Sequence, residues 1–145
     1  MTVRKIIGGK ASQKVVSVKP TDTVKSATEV LAAHRIGAVI VTGDGAGVEG
    51  ILSERDIVRA LGTEGVGCMT RTVRELMTAE VTGCRPDDSA ISVMERMTSG
   101  RFRHMPVMDG GRLVGVISIG DVVKARIDEI QHENEALTGM IANSW

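Results

Sequence analysis

Apolar positions along the chain fall into a pattern that is written twice. Val15-Val16-Ser17-Val18 is a short β-branched run closed by Lys19-Pro20, which predicts a strand. Asp22-Thr23 then offers a helix N-cap, and Val24, Ala27, Val30, Leu31 and His34 keep a helical stripe. Gly37 is the expected helix stop. Ala38-Val39-Ile40-Val41 predicts a buried strand and Gly43-Asp44-Gly45-Ala46-Gly47 a hairpin loop. Val48 to Leu52 predicts a third strand, and Ser53 opens a second helix.

The same order returns downstream. A strand ending at Cys84 stops at Pro86, and Ala90, Val93, Met94 and Met97 form the stripe. Met105-Pro106-Val107-Met108, the turn Asp109-Gly110-Gly111 and Leu113 to Ile117 complete the second unit. Pro20 aligns with Pro86, Asp22 with Asp88, Arg35 with Arg101 and Val41 with Val107. The strongest echo is a phrase of Gly, two aliphatics, Ser, two variable residues and Asp. It occurs as Gly50-Ile51-Leu52-Ser53-Glu54-Arg55-Asp56 and again as Gly115-Val116-Ile117-Ser118-Ile119-Gly120-Asp121. A leader is repeated too, Thr2-Val3-Arg4-Lys5-Ile6-Ile7 against Thr72-Val73-Arg74-Glu75-Leu76-Met77.

Each unit therefore reads β-α-β-β-α, an α+β fold. One three-stranded sheet under two helices is too small to stand alone, so the units are expected to pack sheet to sheet. The expected organisation is a leader at 1–14, repeat one at 15–66, and a connector with the second leader at 67–80. Repeat two follows at 81–128 and a C-terminal helix at 129–145.

Composition narrows the function. The 145 residues carry no net charge, with 18 Lys and Arg against 18 Asp and Glu. A binder of nucleic-acid backbone needs a basic excess, and one Phe and one Trp supply no stacking platform. No apolar run approaches the roughly 18 residues of a membrane span, and no secretory segment follows Met1. Cys68 and Cys84 lack metal or redox spacing, His34, His104 and His132 show no ligand spacing, and a cytoplasmic chain without metal is expected. Nothing has the pattern of an activated nucleophile, so no catalytic residue is assigned.

The repeated Ser and Asp have two compatible uses. Ser at the N-cap with an acid three residues on makes a capping box. The same helix start aims N–H groups at a point suited to phosphate, and the carboxylate can accept both hydroxyls of a ribose. Arg35, Arg101, Arg103 and His104 lie where they either finish helices or supply cations to such a phosphate.

Two such units, with the basic segment Arg101-Phe102-Arg103-His104 running into Met105-Pro106-Val107, resemble a tandem pair of CBS domains (a Bateman module). The resemblance implies two repeats related by a pseudo-two-fold. It implies a non-catalytic regulatory module that binds an adenine nucleotide (AMP, ADP, ATP or NAD(H)) between repeats and signals to a target protein. It further implies a homodimer and no required cofactor. The residues it points to are Ser53, Asp56, Ser118 and Asp121 for phosphate and ribose, and Arg55, His34, Arg35, Arg101, Arg103 and His104 for charge. Ala38, Val39 and Ser17 would hold the base. Because the copies differ around the phrase, unequal sites are expected, with Asp56 and the basic cluster of unit two as the first choice. The alternative is a purely structural dimerisation module whose Ser and Asp act only as caps.

Val123, Ile127, Ile130, Asn134, Leu137 and Ile141 alternate spacings of four and three, a heptad seam with one polar position. Pairing between subunits and packing on its own domain are both open from this pattern.

Overall fold

The computed structural model describes residues 1–8 and 15–143, with side chains to residue 139. The chain runs α1 (Val3–Gly8), β1 (Ser17–Val18), α2 (Val24–His34), β2 (Ala38–Val41), β3 (Gly50–Ser53) and α3 (Glu54–Glu64). A 3-10 turn at Gly65–Thr70 leads to α4 (Val73–Leu76). Unit two follows as α5 (Ala90–Gly100), β4 (His104–Asp109), β5 (Arg112–Ser118) and α6 (Ile119–Asn143).

In unit one β1 pairs parallel with β2, and β2 antiparallel with β3. The first strand of unit two is thinner than expected, because Cys84 makes only an isolated parallel bridge to Val107. Side chains alternate across each strand. Val39, Val41 and Leu52 enter one core with Val24, Ala27, Leu31 and Ile57. Met105, Val107 and Ile117 enter a second core with Val93, Met97 and Val122.

Each core is completed by the leader of the other unit. Val3 and Ile6 of α1 are buried in the core of unit two, and Val73 of α4 is buried in that of unit one. The exchange repeats bond for bond. Val3 N donates to Asp88 O at 2.9 Å and Arg4 N to Pro86 O at 2.9 Å. Val73 N donates to Asp22 O at 2.8 Å and Arg74 N to Pro20 O at 3.0 Å. Each leader thus lies beside the unit that does not directly follow it in sequence.

The second leader also explains the glycine of the repeated phrase. Thr78 exchanges both backbone bonds with Ile51, at 3.0 and 2.9 Å, so this segment lies along β3. A Cβ on Gly50 would stand 2.6 Å from Met77 Sδ and 2.8 Å from Thr78 O.

Three local expectations change. The first long helix stops not at Gly37 but at Arg35, which sits in the left-handed region with φ 54° and donates its N–H back into α2. Arg101 ends α5 in the same way with φ 57°. Cys68, in the stretch expected as a connector at 67–80, is fully buried in the 3-10 turn. The C-terminal helix is no separate element, since α6 runs unbroken through 25 residues from the phrase itself.

The units touch through loops as well as leaders. In the hairpin loop, the Asp44 carboxylate accepts from Ala46 N at 2.9 Å, Gly47 N at 3.0 Å and Thr42 Oγ1 at 3.2 Å. Its pKa is lowered, first by the Gly47 and Ala46 N–H groups. The loop so shaped offers Ala46 O to Leu113 N of β5 at 2.8 Å.

Candidate functional site

The second face of each sheet is turned toward the other unit. Ile40 and Ile51 alternate with the core residues of β2 and β3, and Val114 and Val116 with those of β5. Between them lies a cleft of about 570 Å3. Its walls are aliphatic, with Val15, Val16, Ala38 and Val39 on one side and Val114 and Val116 on the other. Its polar groups are few: Arg4, Arg35, His104 and Ser118. A concave apolar chamber with a few convergent polar groups is the usual form of a small-molecule site.

Of the expected site residues, Arg35, Ala38, Val39, His104 and Ser118 line this cleft. Arg35 is held at its rim by the left-handed end of α2, is exposed, and forms no ion pair among the described residues. His104 starts β4 and reaches toward unit one. A Cβ on Gly37 would stand 3.6 Å from its Cε1 and 3.3 Å from Glu54 Oε1.

The remaining expected residues lie elsewhere. Ser17 is exposed on β1 opposite Ile40, and His34 is exposed at the end of α2. Arg101 and Arg103 are exposed outside the cleft lining. The Arg103 carbonyl is engaged by Ile119 N at 2.8 Å. Arg55 donates from Nη1 to the Arg101 carbonyl at 3.1 Å, so its guanidinium ties unit one to unit two.

Both Ser-x-x-Asp phrases close as capping interactions. Ser53 N donates to Asp56 Oδ2 at 2.9 Å, and Asp56 N to Ser53 Oγ at 3.3 Å. Ser118 N donates to Asp121 Oδ2 at 2.9 Å, and Asp121 N to Ser118 Oγ at 3.1 Å. The frame expected second is the one beside the cleft, because Ser118 lines it and Ser53 does not. It shares the cleft with Arg35 of unit one and His104, whereas Arg101 and Arg103 of the unit-two cluster lie outside it. The leader adds to this side: α1 packs against β5 and brings Arg4, Ile7 and Gly8 into the cleft wall.

Those leader residues were not among the expected ones. Their signal was the repeat itself, Thr2-Val3-Arg4 against Thr72-Val73-Arg74. Arg4 also pairs with Asp87 at 3.0 Å, which steadies the leader on unit two.

A smaller cleft of about 430 Å3 lies on unit two around Arg96. The Arg96 guanidinium donates to Gly83 O at 2.9 Å, Asp88 Oδ2 at 2.8 Å and Ser92 Oγ at 3.0 Å. Cys84 beside it is buried, which pushes its thiol up to about 11 and keeps it protonated. Among the described residues no group of three His, Cys, Asp or Glu side chains could hold a metal ion. No described helix is long and apolar enough to cross a membrane.

Two exchanged leaders, two matching cores and a shared cleft describe a duplicated module, and a model of the CBS domain matches residues 3–63 and 73–128. The chain belongs to the CBS-domain family. The CBS pair is 44% identical to the CBS-domain containing protein ATU1752 from Agrobacterium tumefaciens. Their structures superpose with a TM-score of 0.83 over 87% of this chain and 99% of that one. It is 32% identical over 128 residues to the "CBS domain-containing protein CBSX3, mitochondrial" of Arabidopsis thaliana. That match covers 86% of this chain, which spans 62% of the plant protein's length. The CBS pair of protein MJ0100, solved in complex with 5-methylthioadenosine and S-adenosyl-L-methionine, shares the fold with a TM-score of 0.78. That likeness covers 89% of this chain and 98% of the other, at 22% identity.

Proposed function

We propose that this CBS pair is a non-catalytic sensor of an adenine nucleotide (AMP, ADP, ATP or NAD(H)), which it takes up in the cleft between its units. The observation that carries the reading is the pairing, in one cleft, of an aliphatic slot with Arg35 and the Ser118 helix start. The base fits between Ala38, Ile40 and Val116, out of water. The phosphate lies between the Ser118 cap and the Arg35 guanidinium, where dipole and charge both favour an anion. The ribose hydroxyls are taken by Asp121, which lies in the first turn of α6, three residues after Ser118 and just outside the cleft lining. The adenosyl compounds bound by the MJ0100 pair are a further support for an adenosine-based ligand.

Occupancy draws together two units that otherwise meet through leaders and a few loop bonds, and that rigidification is the signal passed to a target protein. The working form is a cytoplasmic homodimer with no resident cofactor.

A second reading, a structural module without ligand, draws on the closure of both Ser-x-x-Asp phrases as caps. One screen separates the two. Ligand at about a hundred times its dissociation constant stabilises a protein by roughly 2.7 kcal/mol, a rise of several degrees in melting temperature here. Native mass spectrometry of freshly purified protein is expected to show an adenosine compound retained. A protein that retains none, and that melts unchanged with all four nucleotides, is the structural module.

A further inference from the structure

Helix α6 carries two apolar faces. Val122 and Ala125 face inward and are buried in the core of unit two. Val123, Ile127, Ile130 and Leu137 face outward and are 42, 51, 45 and 56% exposed. Beyond Ile130, every residue from 131 to 139 is exposed, so this stretch leaves the domain without covering from it. An isolated helix of this length is marginal in water, and Gly139 weakens it further. Lateral packing of the outward stripe is what would hold it.

The stripe has the spacing of a coiled-coil seam, with Ile127 and Asn134 at a positions and Val123, Ile130 and Leu137 at d positions. Val122 and Ala125 then fall on the helix side away from the seam, so the domain does not obstruct it. The seam is complementary to itself. In a parallel, in-register pair each a residue meets its own counterpart, and the Asn134 amide finds donor and acceptor in a second Asn134. The flanking positions also agree: Arg126 would face Gln131, and Glu133 would face Thr138, so no like charges oppose across the seam.

We propose that two copies of this chain pair through α6 as a parallel, in-register two-stranded coiled coil with Asn134 facing Asn134. This gives the homodimer proposed above a particular surface, and it requires no ligand.

Cross-linking of the full chain tests orientation and register together. A parallel, in-register pair brings position 137 against itself within disulfide reach, whereas an antiparallel pair over the whole seam crosses near position 130 and holds the two copies of 137 about 20 Å apart, so Leu137→Cys is expected to give a covalent dimer under mild oxidation. Native Cys68 and Cys84 are buried and do not compete. Glu135→Cys, on the helix side away from the seam, is expected to stay unlinked. In sedimentation, Ile130→Lys with Leu137→Lys is expected to weaken dimerisation at least tenfold with the melting of the domain intact. A monomeric wild-type chain, or a dimer in which Leu137→Cys does not cross-link, overturns the proposal. A dimer that survives the double lysine variant pairs through another surface: the homodimer stands and the α6 seam is discarded.

Discussion

The guanidinium of Arg55 reaches from the start of α3 in unit one to the carbonyl of Arg101 in unit two, 3.1 Å away. Arg101 is the left-handed residue that ends α5, so the bond satisfies a carbonyl near a helix terminus. Unit two has Gly120 at the position of Arg55 and offers no reciprocal bond. Arg55→Ala is expected to lower unfolding stability by about 0.5–1 kcal/mol, the lower part of the hydrogen-bond range because both residues are exposed. Urea unfolding measures this. A loss of 2 kcal/mol or more would mean that Arg55 holds more than the one carbonyl.

The two carboxylates of the repeated phrase are expected to differ. Asp121→Asn keeps an oxygen to accept from Ser118 N but removes the charge toward a ribose. The loss of charge-assisted bonds is roughly 1.5–3 kcal/mol, or about ten- to a hundredfold in nucleotide affinity. Neither aspartate lines the cleft, but Asp121 caps with Ser118, which does, and Asp56 with Ser53, which does not, so Asp56→Asn is expected to change affinity there less than threefold. Calorimetric titration of both variants decides, and the reverse order would move the ligand to the Ser53 frame.

Arg35 sits in a left-handed conformation that costs a non-glycine residue about 1–2 kcal/mol. Glycine removes that cost but gives back roughly 0.5–1 kcal/mol in unfolded-chain entropy. Arg35→Gly is therefore expected to be neutral or more stable, by up to about 1.5 kcal/mol, while phosphate-bearing ligands bind more weakly. Urea midpoints and titrations with AMP and adenosine separate the effects. An equal loss for adenosine would place Arg35 away from the phosphate.

Gly50 and Gly115 occupy the same place in the phrase but not the same space. A Cβ on Gly50 meets a backbone oxygen at 2.8 Å, whereas on Gly115 the nearest atom is Ile7 Cδ1 at 3.6 Å. Gly50→Ala is expected to cost about 1–3 kcal/mol by forcing the second leader off β3, and Gly115→Ala less than about 1 kcal/mol. Thermal denaturation of the two variants in one buffer is the comparison.

Asp88 contributes to the acid limb of stability. Its carboxyl is held below the usual range, first by the Arg85 N–H and then by the Arg96 guanidinium. The unfolded chain binds that proton more tightly. The contribution is thus complete above the unfolded value of about 3.9 and is lost as pH falls through the lower native one. Asp88→Asn is expected to flatten the fall of the urea midpoint below about pH 4.

Much of the fold was legible because it is local. The caps at Thr23, Ser53 and Ser118, the hairpin at Asp44 and the apolar strand β2 each depend on residues a few positions apart. The candidate site was legible only in part. Arg35, Ala38, Val39, His104 and Ser118 converge, whereas Arg55 and the Arg103 carbonyl are engaged in holding the structure together. A basic residue near a motif has the same spelling whether its partner is a phosphate or a carbonyl.

The chain by itself determined the duplication, its β-α-β-β-α order and the two capped helix starts, because short-range sterics and hydrogen bonds suffice for them. Tertiary structure decided the exchange of leaders, the reduction of the first strand of unit two to one bridge, and which Ser faces the cleft. The first of these depends on which of two similar surfaces each leader covers. Thr2-Val3-Arg4 and Thr72-Val73-Arg74 spell nearly the same segment, so the choice lies in the packing of the whole and not in the segment.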